Sequence, residues 1–581
     1  MLTSNRKAMK KIIYLLLIFT LGMFFSSCEK DLLDKTPLDQ ISDPDFWNTE
    51  TDLELYVNSL YNVLLSWTGG GGGADPCKDL GTDIVIEHTN WWGDSYTAQL
   101  DGTITVPASG GGWDWSDVRR VNYFLENADR ATGTGVDHYI GEGYFFRAYI
   151  YASLLEQFGE LPIITKVLNV DDEELYSARR PRSEVVDFIL EDLDMAISKM
   201  GTASEAGPNR VHKDVARLFK ARICLYEGTW EKYHSGTIFA GSTDGTAYLQ
   251  EAAAQALAVI ETGTYPLHST GNPDQDYYDL FVEMDLSGNP EVLLWRDYDA
   301  LGLGIANTTW NWPNNQGHTQ WMIENYLCTD GLPTAVSPLF MGQDSLSVVE
   351  INRDPRLENT IMVPGELDYV SLSGDSVLFN VPNVGVNGTP TGYEFEKWRV
   401  HWLDPAQNGR TRDVPFIQFR LAEALLIYAE ARAELGALTQ ADVDMTINKL
   451  RDRVGMPHLV IASITVDPNW PDYGYVIPDY LYEIRRERAV ELFGEGFRMN
   501  DLMRWRAHSL FIGKRPKGTM YTDDIAELFS AVTTDEDGFI DPYVDYLNGG
   551  AYGFNPERDY VKPLPINELT INTNLKQNPN W

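Results

Sequence analysis

The chain has 581 residues, and its 46 Lys and Arg against 85 Asp and Glu leave a formal charge of −39. A surface that acidic repels phosphate backbones and argues against nucleic acid as a partner. At 43% hydrophobic and 12% aromatic residues the composition is that of a folded chain, and four cysteines without a CxxC pair argue against zinc-ribbon and redox motifs.

The N-terminus reads Arg6, Lys7, Lys10 and Lys11, then an apolar run from Ile12 to Phe25, then Ser26 and Ser27. This is the layout of an export signal, and the run is short of the ~20 residues that span a bilayer. The run stops at Cys28, which could be half of a disulfide, a buried thiol or a point of attachment. Of the remaining Cys77, Cys224 and Cys328, one bridge with a free thiol and three buried thiols are both open, since free cysteine packs as a small hydrophobe.

Helical periodicity dominates the chain beyond Cys28. Thr49 is a good N-cap for a helix whose stripe is Leu53, Tyr56, Val57, Leu60, Tyr61 and Leu64. Gly69 to Gly73 is a glycine run, expected to be a loop. Its Gly69, Gly71 and Ala74 match a dinucleotide fingerprint by letter only, with no strand–turn–helix around them. Trp115, Val118, Val121, Leu125 and Ala128 form a second stripe. Tyr144 to Pro162 forms a third, stopped by Gly159 and Pro162. Ser183 would cap a fourth, with Val186, Ile189, Leu190, Leu193, Ala196 and Ile197 on its apolar face. Further helices are expected at about 212–232, 246–262, 416–435, 440–454, 479–493 and 498–507, as helical pairs of tetratricopeptide texture without a clean 34-residue period.

Residues 263–415 differ, being rich in Pro, Gly, Asn and aromatics, with short strands expected at Ile361–Val363 and Tyr369–Leu372. The stretch 510–565 is similar. The fold class is therefore mostly α: a scaffold of helical pairs over about 44–262 and 416–507, an irregular lobe over about 263–415, and 510–581 packed on it. Loops on a rigid scaffold tend to carry function.

No HxH, HxxxH, HExxH, GxSxG or P-loop occurs among the nine histidines and 48 glycines. A loose calcium site at Asp535, Asp537 and Asp541 has the oxygen density but fails the calcium-loop pattern at Thr533 and Val544; no cofactor is otherwise expected. Tryptophan is the informative residue, with 16 present. Trp115 and Trp230 lie at helical spacing and read as core. Trp91, Trp92, Trp310 and Trp312 lie instead in "HTNWWGDSYTAQ" and "NTTWNWPNNQGHTQW", polar loop sequence without a stripe to bury them. Sugar rings lay apolar faces on aromatic rings and offer hydroxyls to amides and carboxylates. Trp91, Trp92, Tyr96, Asn90, Asp94, Trp310, Asn311 and Trp312 are the candidate ligand-binding residues, with no catalytic and no metal-ligating set.

Several blocks resemble the SusD/RagB family of outer-membrane nutrient-binding lipoproteins. They run in order from "CEKDLLDKTPLDQISDPDFWNTETDLELYVNSLYN" through "EGYFFRAYIYASLLEQFGELPII", "VARLFKARICLYEGTW", "EVLLWRDY" and "RDPRLENTI". The most specific are "FRLAEALLIYAEARAELG", "INKLRDRVGMP" and "IRRERAVELFGEGFRMNDLMRW", and the closing "LPINELTINTNLKQNPNW" fits too. The resemblance covers the whole chain. It implies a surface lipoprotein that captures oligosaccharide, or in some members peptide, and serves a TonB-dependent (SusC-like) outer-membrane transporter without catalysing a reaction. Peptide or glycopeptide capture stays open as an alternative, and a surface glycosidase using an acidic pair as a more remote one. The resemblance makes residues 1–27 a lipoprotein signal and Cys28 the lipidated first residue, with Phe25 where Leu is usual and Glu29, Lys30 and Asp31 like the export tag of Bacteroidetes-type bacteria. It also makes the irregular lobe the ligand-binding one, and "WDWSDVRRVNYFLENADRA" and Trp321 structural. Arg485, Arg486, Glu487, Arg488, Glu491 and Glu495 are expected to be a charged network of the fold, which helical spacing alone reads as i, i+3 and i+4 pairing.

Overall fold

The computed structural model describes residues 46–67, 77–87, 96–298, 309–310, 316–371, 373–385, 388–401, 410–411 and 414–581. Helices dominate. The first, α1 (Glu50–Leu60), begins where Thr49 caps it: the Thr49 hydroxyl accepts from the Asp52 amide, and the Asp52 carboxylate accepts from the Thr49 amide at 2.8 Å. The next, α2 (Ser116–Ala128), buries Val118, Val121 and Phe124. The third, α3 (Val136–Phe158), starts eight residues ahead of the expected stripe. The cause is close packing: a Cβ on Gly143 would lie 2.6 Å from the Phe124 ring, so glycine, a poor helix former, marks a contact there and not a break. Gly159, at φ +72°, ends α3 as expected, its amide bonded to the Leu155 carbonyl at 2.8 Å.

The fourth helix, α4 (Arg182–Lys199), is capped by Pro181 and not by Ser183. Arg182 has to be inside the helix because its guanidinium is buried on Glu227 (2.7 Å) and over the Trp230 ring (4.1 Å). Then come α5 (Lys213–Tyr233) and α6 (Thr246–Ile260). Helix α3 packs on α4, α5 on α6, and α6 on α7 (Leu421–Glu434). The expected helix at 416–435 is thus split: Phe416–Arg420 is strand β8, and the helix starts after it. The expected 440–454 helix is also two, α8 (Gln440–Met445) and α9 (Ile447–Arg453), broken at Thr446 (φ −124°, ψ −86°), whose hydroxyl bonds back to the Asp442 carbonyl at 2.6 Å. Helices α10 (Asp479–Glu491) and α11 (Arg498–Arg504) complete the scaffold. Leu, Val, Ile and Phe from all of these share one buried cluster that runs from Trp47 to Leu575, each worth about 1.5–3 kcal/mol when fully buried.

The lobe carries two-stranded antiparallel ladders: β1 (Val85–Glu87) with β4 (Gln316–His318), β2 (Val292–Arg296) with β8, β3 (Thr309–Trp310) with β7 (Arg410–Thr411), and β5 (Leu367–Val370) with β6 (Ser376–Leu378). The expected strand at 369–372 is β5 shifted toward the N-terminus. That at 361–363 is reduced to one bridge, Ile361 to Phe395. Cys77, Cys224 and Cys328 are free and buried, which resolves the thiols in favour of packing. Among the described residues no helix is long and apolar enough to cross a membrane.

The charged set on α10 is buried, and most of its partners lie on other elements. Glu491 is fully buried and receives Arg453 at 2.7 Å, Arg420 at 2.7 Å and Arg356 at 3.0 Å. Arg420 also reaches Glu291 and Glu495. Arg356 and Arg451 converge on Glu487, Arg485 reaches Glu434, Arg486 reaches Asp467, and Arg488 reaches Asp501. Reading these residues as local helix pairs is therefore corrected: on α10 only Arg486 with Glu483 is an i, i+3 pair of that kind. Burial works against the charge of Glu491, but the three guanidiniums hold its carboxyl well below the usual carboxylate range. Replacing Glu491 with Gln leaves three buried guanidiniums short of a counter-charge. Thermal or denaturant unfolding should show a loss of about 3–5 kcal/mol; an unchanged midpoint would disprove the role given to this carboxylate.

Candidate functional site

Beyond α10 the chain reads Phe493, Gly494 and Glu495, and these residues hold the lobe. Lys397 donates to the Phe493 carbonyl (2.7 Å), to Glu495 (2.9 Å) and to the Tyr277 hydroxyl (2.9 Å). Its ammonium sits 3.8 Å from the Phe281 ring centre, and burial pulls its pKa down to about 8. The next residue, Trp398, has φ +68°, a strained value for a bulky side chain. Its ring lies against Gly494, where a Cβ would stand 2.6 Å away, and Gly494 is itself at φ +76°. On the other side Phe493 packs on the buried imidazole of His318 in β4, 4.7 Å between ring centres. Burial pushes the His318 pKa down to about 3, so that ring is neutral.

Around this knot several loops begin and end. Trp67, the last described residue before 68–76, donates its backbone amide to the Tyr298 hydroxyl (3.0 Å) and its indole N–H to the Val414 carbonyl (2.8 Å). Tyr298 is the last described residue before 299–308, and Val414 the first after 412–413. The Trp67 ring packs edge-on against Trp398 (6.0 Å) and Phe416 (5.0 Å). The β1–β4 register adds the remaining pair: Glu87 lies opposite Gln316 on the last rung. Segments 88–95 and 311–315 therefore leave the same end of one ladder, and β3–β7 joins 309–310 to 410–411. The Gln316 amide on that last rung is buried, and among the described residues neither its oxygen nor its nitrogen has a hydrogen-bond partner.

Asn90, Trp91, Trp92, Asp94, Asn311 and Trp312 lie outside the described residues, as does Cys28. The backbone of Trp310 is in β3, opposite Arg410. Tyr96 is half-buried: its amide bonds the Leu80 carbonyl at 3.0 Å, and its ring packs on the main core at the start of the short helix Thr97–Leu100. The residues that flank the two tryptophan-bearing segments, Glu87 and Gln316, are thus paired on one rung. Sequence reasoning missed the residues that hold the segment ends of the lobe. Trp67 is separated from the glycine run by one residue, and Gly494 stands inside the "ELFGEGFR" block; those positions were the available signal.

The tryptophans expected to be structural are so. Trp113 and Trp230 are buried in the main cluster, and Trp115 and Trp321 pack on it. At the acidic turn, Asp535 and Asp541 do converge, but on Lys517, at 3.3 and 2.6 Å, with Arg515 also on Asp541 at 2.7 Å. Burial would raise the Asp541 pKa, and the bonds from Arg515 and Lys517 outweigh it. Asp537 donates its amide to Asp535. Among the described residues no group of three His, Cys, Asp or Glu side chains could hold a metal ion.

Comparison with known proteins meets this geometry. Residues 264–581 match the model of the SusD family, and residues 38–225 a second model described as starch-binding associating with outer membrane. The chain belongs to the SusD family. Relatives include SusD-like proteins P2 and P38 of Formosa agariphila. P2 is 24% identical, covering 98% of each chain, and P38 is 23% identical, covering 84% of this chain and 90% of its own. A SusD-like carbohydrate binding protein from Bacteroides fragilis superposes with a TM-score of 0.70 at 21% identity, over 91% of this chain and all of its own. A laminarin-binding SusD-like protein gives 0.55 at 20% identity, over 92% of this chain and all of its own. At such identities the likeness shows the fold.

In this SusD-family chain the matched region 264–581 contains the lobe, α7–α11 and the Phe493–Glu495 knot. Gly494→Ala should cost about 1–3 kcal/mol through its backbone angle and push the Trp398 ring aside. Near-ultraviolet circular dichroism and thermal unfolding would register both effects; a native spectrum with an unchanged midpoint would contradict the close approach.

Proposed function

We propose that the protein is a non-catalytic cell-surface lipoprotein that binds oligosaccharide and passes it to a partner TonB-dependent outer-membrane transporter. The observation that carries the reading is the common origin of the tryptophan-bearing segments: 88–95 and 311–315 leave one end of the β1–β4 ladder, in a SusD-family frame. Trp91, Trp92, Trp310 and Trp312 would stack on sugar rings, while Asn90, Asp94 and Asn311 bond hydroxyls, with Tyr96 fixing the far end of the first segment. Names given to structural neighbours, carbohydrate binding in one and laminarin-binding in another, favour glycan over peptide. Affinity should be modest, because the ligand has to be released to the transporter and shallow sites bury little surface.

Titrating an oligosaccharide panel by calorimetry tests the site. Alanine at Trp91, Trp92, Trp310 and Trp312 together should abolish measurable binding, since each stacking contact is worth about 0.5–1.5 kcal/mol. Unchanged binding to every glycan would rule out the assignment.

Anchoring is proposed at Cys28, whose thiol would carry a diacylglyceryl group and whose freed amine a further acyl chain; lasting attachment takes at least two such signals. The match of 38–225 to a model described as associating with outer membrane supports this address. Cys28→Ser should move the protein from the membrane to the soluble fraction. A variant that still sediments with outer membranes, in cells lacking the transporter, would refute the anchor.

A further inference from the structure

Trp470 is placed unlike the other tryptophans of the described residues. It stands outside every hydrophobic cluster of the described residues and is partly exposed. Its aromatic contact is Tyr482, in the first turn of α10, at 4.6 Å between ring centres and 5° between planes. Trp581 also stands outside the clusters, but Arg558 covers its ring at 4.4 Å.

The Trp470 ring is held rigidly. Its indole N–H donates to Glu483 at 3.3 Å, and Glu483 is buried on Arg486 and Arg451. Below, Tyr482 leans on Tyr473 (5.9 Å), and Tyr473 lies under the Arg485 guanidinium (4.5 Å). The rim is polar: Asn469, Asp472 and Asp479 are exposed. Asn469 and Asp472 flank Trp470 in the chain, and Asp479 lies one turn before Tyr482 on α10. Burial first, then the charges of Tyr473, Asp472 and Asp479, hold the Tyr482 hydroxyl above the ordinary phenol range.

A partly exposed indole, stacked on Tyr482 and bonded to Glu483, with exposed carboxylates and an amide close to it in the chain, suits a pyranose ring. The apolar face of the sugar covers the indole, and its hydroxyls meet the acceptors. A hydrophobic protein partner would have to desolvate three polar side chains without pairing them. We propose that Trp470 and Tyr482 form a second glycan contact, outside the loop-lined site, for a ring of a long chain. This rests on the glycan reading above and adds a place where polysaccharide, and not only a short oligosaccharide, is held. Linked contacts on one chain multiply retention without tightening either site.

The test is affinity electrophoresis of the full chain in gels containing starch, laminarin, mannan or xylan, paired with calorimetric titration of their short oligosaccharides. Trp470→Ala should weaken retention by at least one polysaccharide about tenfold, with oligosaccharide titrations unchanged. Trp470→Phe, which keeps an aromatic face, should keep most of the retention. Should Trp470→Ala loosen the loop itself, hydrogen exchange of the unaltered protein decides: amides of 467–482 should slow when polysaccharide is added. Retention of Trp470→Ala equal to the parent, absence of retention of the parent in all four gels, or unchanged exchange over 467–482 would each overturn the proposal. Loss of oligosaccharide binding in the four-tryptophan loop variant bears only on the first site, so the two readings fail separately.

Discussion

The fold depends on one buried carboxylate being saturated with guanidinium. Glu491 is out of water, and so are Arg356, Arg420 and Arg453 around it. Such burial costs several kcal/mol per ion and is tolerated only where the geometry is good and the remaining donors are satisfied. Here the partners come from four places in the chain. Arg356 lies on the short helix Pro355–Glu358, Arg420 ends β8, Arg453 ends α9, and Glu291, next to β2, takes the outer face of Arg420 and Arg453. The helical scaffold and the irregular lobe are thereby fixed to one point. Misplacing any of these elements strands a charge, so the network specifies an arrangement as much as it stabilises one.

That network explains which parts of the molecule were legible in the sequence. Helices α1–α6 could be read from their stripes, because an amphipathic helix declares its buried face within a few turns. The role of α10 could not. Local spacing offers Arg488 an acidic neighbour at i+3, Glu491, and Arg485 none at i+3 or i+4, whereas their partners Asp501 and Glu434 lie on other elements and complement them only after folding. Strand β8 was lost for a related reason. "FIQFRLAEALL" is apolar on both sides of Arg420, so the change of period falls inside one continuous run; pairing with β2 decides it. Legibility of the candidate site divides the same way. Aromatic–amide composition marked the segments at 88–95 and 309–315, but the pairing of their flanking residues Glu87 and Gln316 depends on the register of β1 with β4, which no single segment encodes.

In the lobe the described ends of the chain segments are fixed in geometry. Trp67, Tyr298 and Val414 are tied by two hydrogen bonds, and Trp398 accepts a left-handed backbone to lie on Gly494. Strain of this kind persists only where the surroundings over-determine it. Rigid stems let the segments between them differ in sequence without moving their origin.

Helix α10 joins this knot to the Trp470 platform. Tyr482 is in its first turn and Glu491 at its end, roughly 14 Å apart along a helix rising 1.5 Å per residue. Arg485, Arg486, Glu487 and Arg488 between them are all pinned by partners, so the helix behaves as a strut and the offset between its ends is constant. A flexible spacer would let two weak sugar contacts act independently. A strut keeps the Trp470 platform at a constant offset from the lobe, so a glycan that reached both proposed contacts would have to fit that offset in length and shape. Selection for polymer over fragment can thus come from the same buried charges that hold the fold.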